Sequence, residues 1–132
     1  MTLISFFRRA LSLRAAALLL TLGIIFSLFV LGAQPVALDL VSPPWDKLLH
    51  GCIFALLAWG IGLASGMQGC RRVAIAFVGA LLVGMLDEWH QLYLPGRQAE
   101  WADLAADAVG GLVGAALATM ERITHFEQTS SS

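Results

Sequence analysis

The sequence predicts an all-α fold, an integral membrane four-helix bundle with both termini cytoplasmic, and three observations lead there. Of 132 residues, 58% are hydrophobic and 13% charged, with a mean hydropathy of +0.79, which leaves too few polar groups to cover a water-soluble globule of this size. Four apolar stretches approach the roughly 20 residues that a helix needs to cross the hydrocarbon, and together they use up most of the chain. Lys and Arg are unevenly placed along it. The net charge of -1 carries no nucleic-acid footprint.

The expected organisation is a basic segment over 1–14, a four-span membrane domain over 15–120 and a polar cytoplasmic tail over 121–132. After Arg8, Arg9 and Arg14, Ala15–Leu38 runs for 24 uncharged residues as the first span. A cleaved signal peptide is the competing reading. The run is longer than an ordinary signal core, and Leu31 would stand where a cut after Ala33 needs a small residue. Pro43 and Pro44 should end any helix there. Gly51–Cys70 gives 20 uncharged residues for the second span, and Gly66 to Arg72 the next turn.

The last two spans fall short. Only 14 uncharged residues separate Arg72 from Asp87, and 13 separate Asp107 from Glu121. The third span must therefore take in Asp87 through Leu94, and the fourth must begin near Ala102, which draws Asp103 and Asp107 inward. Counting from the first span, Arg8, Arg9, Arg14, Arg71, Arg72 and Arg122 lie on one side, Lys47 and Arg97 on the other, and the richer side is expected to be cytoplasmic. Trp45, Trp89, Tyr93 and Trp101 fall at the outer boundary, where amphipathic rings prefer to sit; Trp59 does not.

Asp46, Lys47, His50, Asp87, Glu88, Gln91, Arg97, Asp103 and Asp107 thus converge in one leaflet as a candidate binding site, with His90 beside them. Ionisable groups within a span cost about 2.5–3.5 kcal/mol each on insertion scales and usually face the bundle interior. Asp46/His50, Asp87/Gln91 and Asp103/Asp107 are i, i+4 pairs, each lying on one helix face. Asp87 and Glu88 sit toward a helix C-terminus, where the macrodipole opposes them, so they need Arg97, Lys47, a proton or a cation. Blander readings stand beside these: Asp46 and Asp103 as helix caps, His90 as a solvated side chain, Gly96-Arg97 as a turn. Gly110 and Gly114 form a GxxxG, which in an apolar helix means close packing. Cys52 and Cys70, roughly 27 Å apart on a helix rising ~1.5 Å per residue, cannot pair with each other and are expected to be small packing residues. No HExxH, DxD or Cys/His spacing appears, so no metal and no cofactor is expected. Ser42 is the one hydroxyl nucleophile of the outer segments.

Asp46-Lys47 with His50, Asp87-Glu88 with Gln91, Pro95-Gly96-Arg97, Asp103, and Gly110 with Gly114 together resemble the VanZ-like family, over roughly Trp45 to Ala116. The resemblance implies a small polytopic protein of the bacterial cytoplasmic membrane, connected with glycopeptide resistance and lowered sensitivity to teicoplanin; it implies no reaction. Where the family commonly has Asn, this chain has Asp107.

Three function classes follow. The first is a binding protein whose outward-facing polar pocket takes an envelope lipid or glycopeptide, with membrane lipids as partners and self-association left open. The second is a membrane-embedded hydrolase or transferase with Asp87 or Glu88 as base and Arg97 holding an anionic group. The third is a proton- or cation-coupled carrier.

Overall fold

The computed structural model describes residues 3–34, 41–42 and 44–130, with side chains at 4–5, 8–34, 41–42 and 44–120. The expected end of the first span at Leu38, Pro43, the side chains of Glu121 and Arg122, and the last two residues of the tail lie outside the described residues. Helix α1 spans Leu3–Phe26 and passes into a π-helical turn at Ser27–Leu31; α2 spans Trp45–Ala64, α3 Gly69–Gln91 and α4 Trp101–Ser130. No strand occurs among the described residues. All four helices are long and apolar enough to cross a membrane, over Arg8–Leu31, Trp45–Ala64, Gly69–Gln91 and Trp101–Met120.

Several helix boundaries differ from expectation. The first helix starts at Leu3 rather than Ala15. Residues 3–14 contain no Gly or Pro, and Leu, Ala and Arg are good helix formers, so charge bears on where a membrane would end and not on where the helix begins. The second helix starts at Trp45 instead of Gly51, immediately after Pro44; proline has no N–H to lose there. It therefore stops at Ala64, and the turn at Gly66 uses a φ of +66° that favours glycine. Arg71 and Arg72, expected in this turn, lie in the first turns of α3 instead. Arg72 is buried, donating from Nε to the Met67 carbonyl at 2.7 Å and from Nη1 to the Ala118 carbonyl at 2.7 Å. Arg14 of α1 lays its guanidinium over Gly66, which pins the first helix to the same turn.

Small residues set the topology. A Cβ at Gly110 would collide with the backbone of Gly51, and one at Gly114 with that of Ala55, so α2 and α4 run parallel with their backbones in contact. Gly84 faces Asp107, Gly111 faces Ala80, and Gly62 meets both Ala76 and Ala118; α3 therefore runs antiparallel to both. Gly60 packs on Thr21, and α1 is antiparallel to α2. The buried core is Phe54 and Leu57 among alanines 58, 76, 80 and 115. Large apolar side chains such as Leu19, Leu82 and Val109 point outward. That is the pattern for a lipid solvent, where packing of small residues joins the helices because lipid tails are as apolar as Leu. Cys52 and Cys70 are both exposed and free, on the outer surface and not in the interior where small packing residues were expected, since glycine and alanine already fill the helix seams. Trp45, Trp89, Tyr93 and Trp101 are all exposed at the end of the bundle where α2 and α4 begin and α3 finishes.

Candidate functional site

The parallel pairing of α2 with α4 continues upward as a polar seam. Gly114 meets Ala55 and Gly110 meets Gly51; one turn on, Asp107 Oδ1 lies 3.0 Å from His50 Nδ1, and a further turn on, Asp103 pairs with Lys47. Each step along α4 is three or four residues, one helical turn. The glycines bring the backbones close, so the polar side chains above them meet directly. Asp103 and Asp107, expected on one face, both turn to α2.

Lys47 is the hub of this end. Its ammonium meets Asp46 at 3.0 Å, Glu100 at 2.7 Å, and Asp103. Asp46 does not cap α2, whose N-cap Pro44 offers no side-chain hydrogen bond; its carboxylate serves Lys47 instead. Asp103 does the same from the first turn of α4.

The third helix takes in Asp87 and Glu88 as its shortness required, but it ends at Gln91 rather than Leu94, and Leu92, Tyr93 and Leu94 make turn bonds instead. Both carboxylates are buried. Neither meets Arg97 or Lys47, the counter-charges expected for them. Asp87 Oδ2 accepts from Gln91 Nε2 at 3.0 Å, and Glu88 Oε2 accepts the Glu100 backbone N–H at 2.7 Å. The reason is local: the α3–α4 connection folds back over Glu88 and supplies an amide, while Lys47 is held by three nearer acids. Arg97, following Gly96 at φ +78°, reaches the other way and donates from Nη2 to the Gly32 carbonyl at 2.6 Å, just past the π-helical turn of the first helix. That turn is one of the rare i→i+5 distortions that gather at functional sites; the Gly32 N–H closes it on the Ser27 carbonyl at 2.9 Å.

A cavity of about 740 Å³ lies among these elements, and Asp46, Lys47, His50, Asp87, Gln91, Arg97 and Asp103 all line it. Glu88 and Asp107 stand behind the wall. Asp107 is fully buried, one of the three largest such side chains with Phe54 and Leu57, and its carboxylate rests on Gly84. The His50 ring stacks nearly parallel on Phe54, centroids 6.4 Å apart. Glu88 Oε1, Asp107 Oδ2, Asp46 Oδ1 and Arg97 Nε are buried without a hydrogen-bond partner among the described residues. No group of three His, Cys, Asp or Glu able to hold a metal ion occurs among the described residues.

A model of the VanZ/LLP1 family matches residues 1–122. The chain belongs to that family. The match takes in the first helix as well as the motifs between Trp45 and Ala116, and the first helix does contribute: Ser27, Leu28, Leu31 and Gly32 line the cavity of this VanZ/LLP1 member. Comparison with curated proteins and with solved structures gives no match.

Two contributions were not anticipated. Glu100 bonds Lys47 and lends its backbone to Glu88; its place three residues before Asp103, at a helix start, was the available signal. The first helix gave none, being uncharged from Ala15 onward. His90 does line the cavity, with the Phe29 ring tilted at 43° and its centroid 5.3 Å away. Ser42 is not part of the wall, whereas Ser27 is, its hydroxyl donating to the Gly23 carbonyl at 2.8 Å.

Proposed function

We propose that this VanZ/LLP1 protein is a multi-pass protein of the bacterial cytoplasmic membrane, with both termini cytoplasmic, whose cavity binds the polar head group of an envelope lipid or lipid-bearing glycopeptide. Through that binding it alters sensitivity to glycopeptides such as teicoplanin. One observation carries the reading: polar side chains from three helices and a connecting loop line a single cavity at one end of a largely apolar bundle. Carboxylates, an amide and a guanidinium suit a hydroxyl-rich or amine-bearing ligand through charge-assisted hydrogen bonds. Polar residues at this depth are costly and are normally functional.

Substitution tests the reading in cells. Glu88→Gln, Arg97→Gln and Asp107→Ala should each abolish teicoplanin tolerance while membrane levels stay near normal, and pairs should cost little more than singles, as members of one unit behave. Loss of the variants from the membrane would mark the cluster as structural only.

Orientation has its own test. In a chain with Cys52 and Cys70 replaced by Ser, a cysteine at Gln98 should be labelled in intact cells and one at Gln68 only after the membrane is opened. The reverse pattern would invert the topology and turn the cavity to the cytoplasm.

A further inference from the structure

Two of the groups at this site are arranged as a proton-transfer pair, which simple recognition of a head group does not need. Asp107 is fully buried and holds His50 Nδ1 at 3.0 Å. When Asp107 is ionised it only accepts hydrogen bonds, and in that state Nδ1 carries the proton and Nε2 keeps its lone pair. The His50 side chain is 19% exposed and lines the cavity, so Nε2 is the ring nitrogen left to serve a bound molecule. Stacking on Phe54 fixes the ring plane. A buried acid bonded to one nitrogen of a histidine that lines a binding cavity is the arrangement of a general base.

The same cavity carries a fixed positive donor. Arg97 lines it, with Nη2 anchored on the Gly32 carbonyl at 2.6 Å. A cation held by the backbone stabilises developing negative charge without reorganising. Of the other acids, Glu88 stands behind the wall with Oε2 on the Glu100 amide, and Asp87 Oδ2 accepts from Gln91 with no histidine to orient it. His50 thus takes the base role that the sequence alone assigned to Asp87 or Glu88. The Ser27 hydroxyl gives its proton to the Gly23 carbonyl, which leaves water as the nucleophile.

The geometry points to His50, positioned by Asp107, as the general base that hydrolyses a carboxylic ester of the amphiphile bound in this cavity, with Arg97 holding the oxyanion. This rests on the binding reading above. Water oxygen attacks the ester carbonyl carbon and a C–O bond forms. Its proton passes to His50 Nε2, and the carbonyl oxygen takes the negative charge opposite Arg97. The tetrahedral carbon then expels the alcohol oxygen, which leaves with the proton from Nε2. Acid and alcohol are released and His50 is neutral again. A carboxylic ester is favoured over a phosphate ester because the wall carries Asp46, Asp87, Glu100 and Asp103 against Lys47 and Arg97, and this excess of acids repels an anionic group.

The test uses the full chain in lipid nanodiscs with two long-chain umbelliferyl esters, one bearing a quaternary amine and one a sulfonate, and measures probe binding and release of the fluorophore separately. The amine probe should bind and turn over above empty nanodiscs, and faster than the sulfonate probe. His50→Gln should still bind it but lose about 100-fold or more in kcat, the usual share of a general base. Asp107→Asn should lower kcat with KM unchanged and displace the pH–rate profile, a readout that a packing role would not move. Binding without turnover, or equal turnover by His50→Gln, would overturn the catalytic assignment and leave the binding reading standing. Absence of binding would remove both, and a preference for the sulfonate probe would overturn the charge argument.

Discussion

Gly114→Leu should remove most of the folded protein from the membrane, whereas Val113→Leu, at the adjacent position, should leave its level unchanged. A Cβ at Gly114 would overlap the carbonyl of Ala55, which is backbone and cannot swing aside. The whole α2–α4 contact would have to open, and with it the alignment of His50 with Asp107 about two turns above. Overpacking a well-fitted interior costs about 1–3 kcal/mol and more where backbone must move, against a total stability of roughly 5–15 kcal/mol for a domain. Val113 is 50% exposed on the outer surface, where a substitution stays within about 0.5 kcal/mol. Quantifying both variants in membranes and their thermal unfolding in detergent checks this. Equal tolerance would mean that the two helices are not in backbone contact.

Lys47→Met should be the next most damaging change. The ammonium meets three carboxylates, and removing it leaves Asp103, 9% exposed, with no cation among the described residues. Breaking a buried pair from one side costs about 3–5 kcal/mol; with the Lys47 side chain 28% exposed, roughly 2 kcal/mol is the fitting figure after allowing for solvent screening. Adding Asp103→Asn to Lys47→Met should recover part of that loss, because it removes the stranded charge, and Glu100→Gln alone should cost little at a side chain 54% exposed. Unfolding midpoints of wild type, Lys47→Met, Asp103→Asn and the double variant measure the coupling. If Asp103→Asn added nothing back, the two groups would not be partners in the membrane.

Particular residues show why some of this was legible in the sequence. Asp87, Glu88, Asp103 and Asp107 had to enter the helices because the uncharged runs beside them were too short, and that arithmetic does not depend on tertiary contacts. The i, i+4 spacing of Gly110 with Gly114 and of Asp103 with Asp107 likewise fixed which residues share a face. Pairing across helices was not legible, because it depends on which face of α2 the glycines admit. Arg97 was expected beside Asp87 and Glu88 on charge alone, yet a glycine turn aims it at the first helix, where the Gly32 carbonyl just past the π-helical turn accepts it. Helix starts at Leu3 and Trp45 were not legible for a related reason: a charged residue ends an apolar run without ending a helix, which Leu, Ala and Arg continue.

The central claim, that the cavity among Asp46, His50, Asp87 and Arg97 holds an amphiphile's head group, is tested most directly by native mass spectrometry of the protein released from nanodiscs made with its own membrane lipids. Wild type and Val113→Leu should each retain one amphiphile per chain, and Asp87→Asn, which changes one wall residue and leaves the α2–α4 seam intact, should lose it. A bare wild-type chain, or an adduct that Asp87→Asn keeps undiminished, would contradict the account.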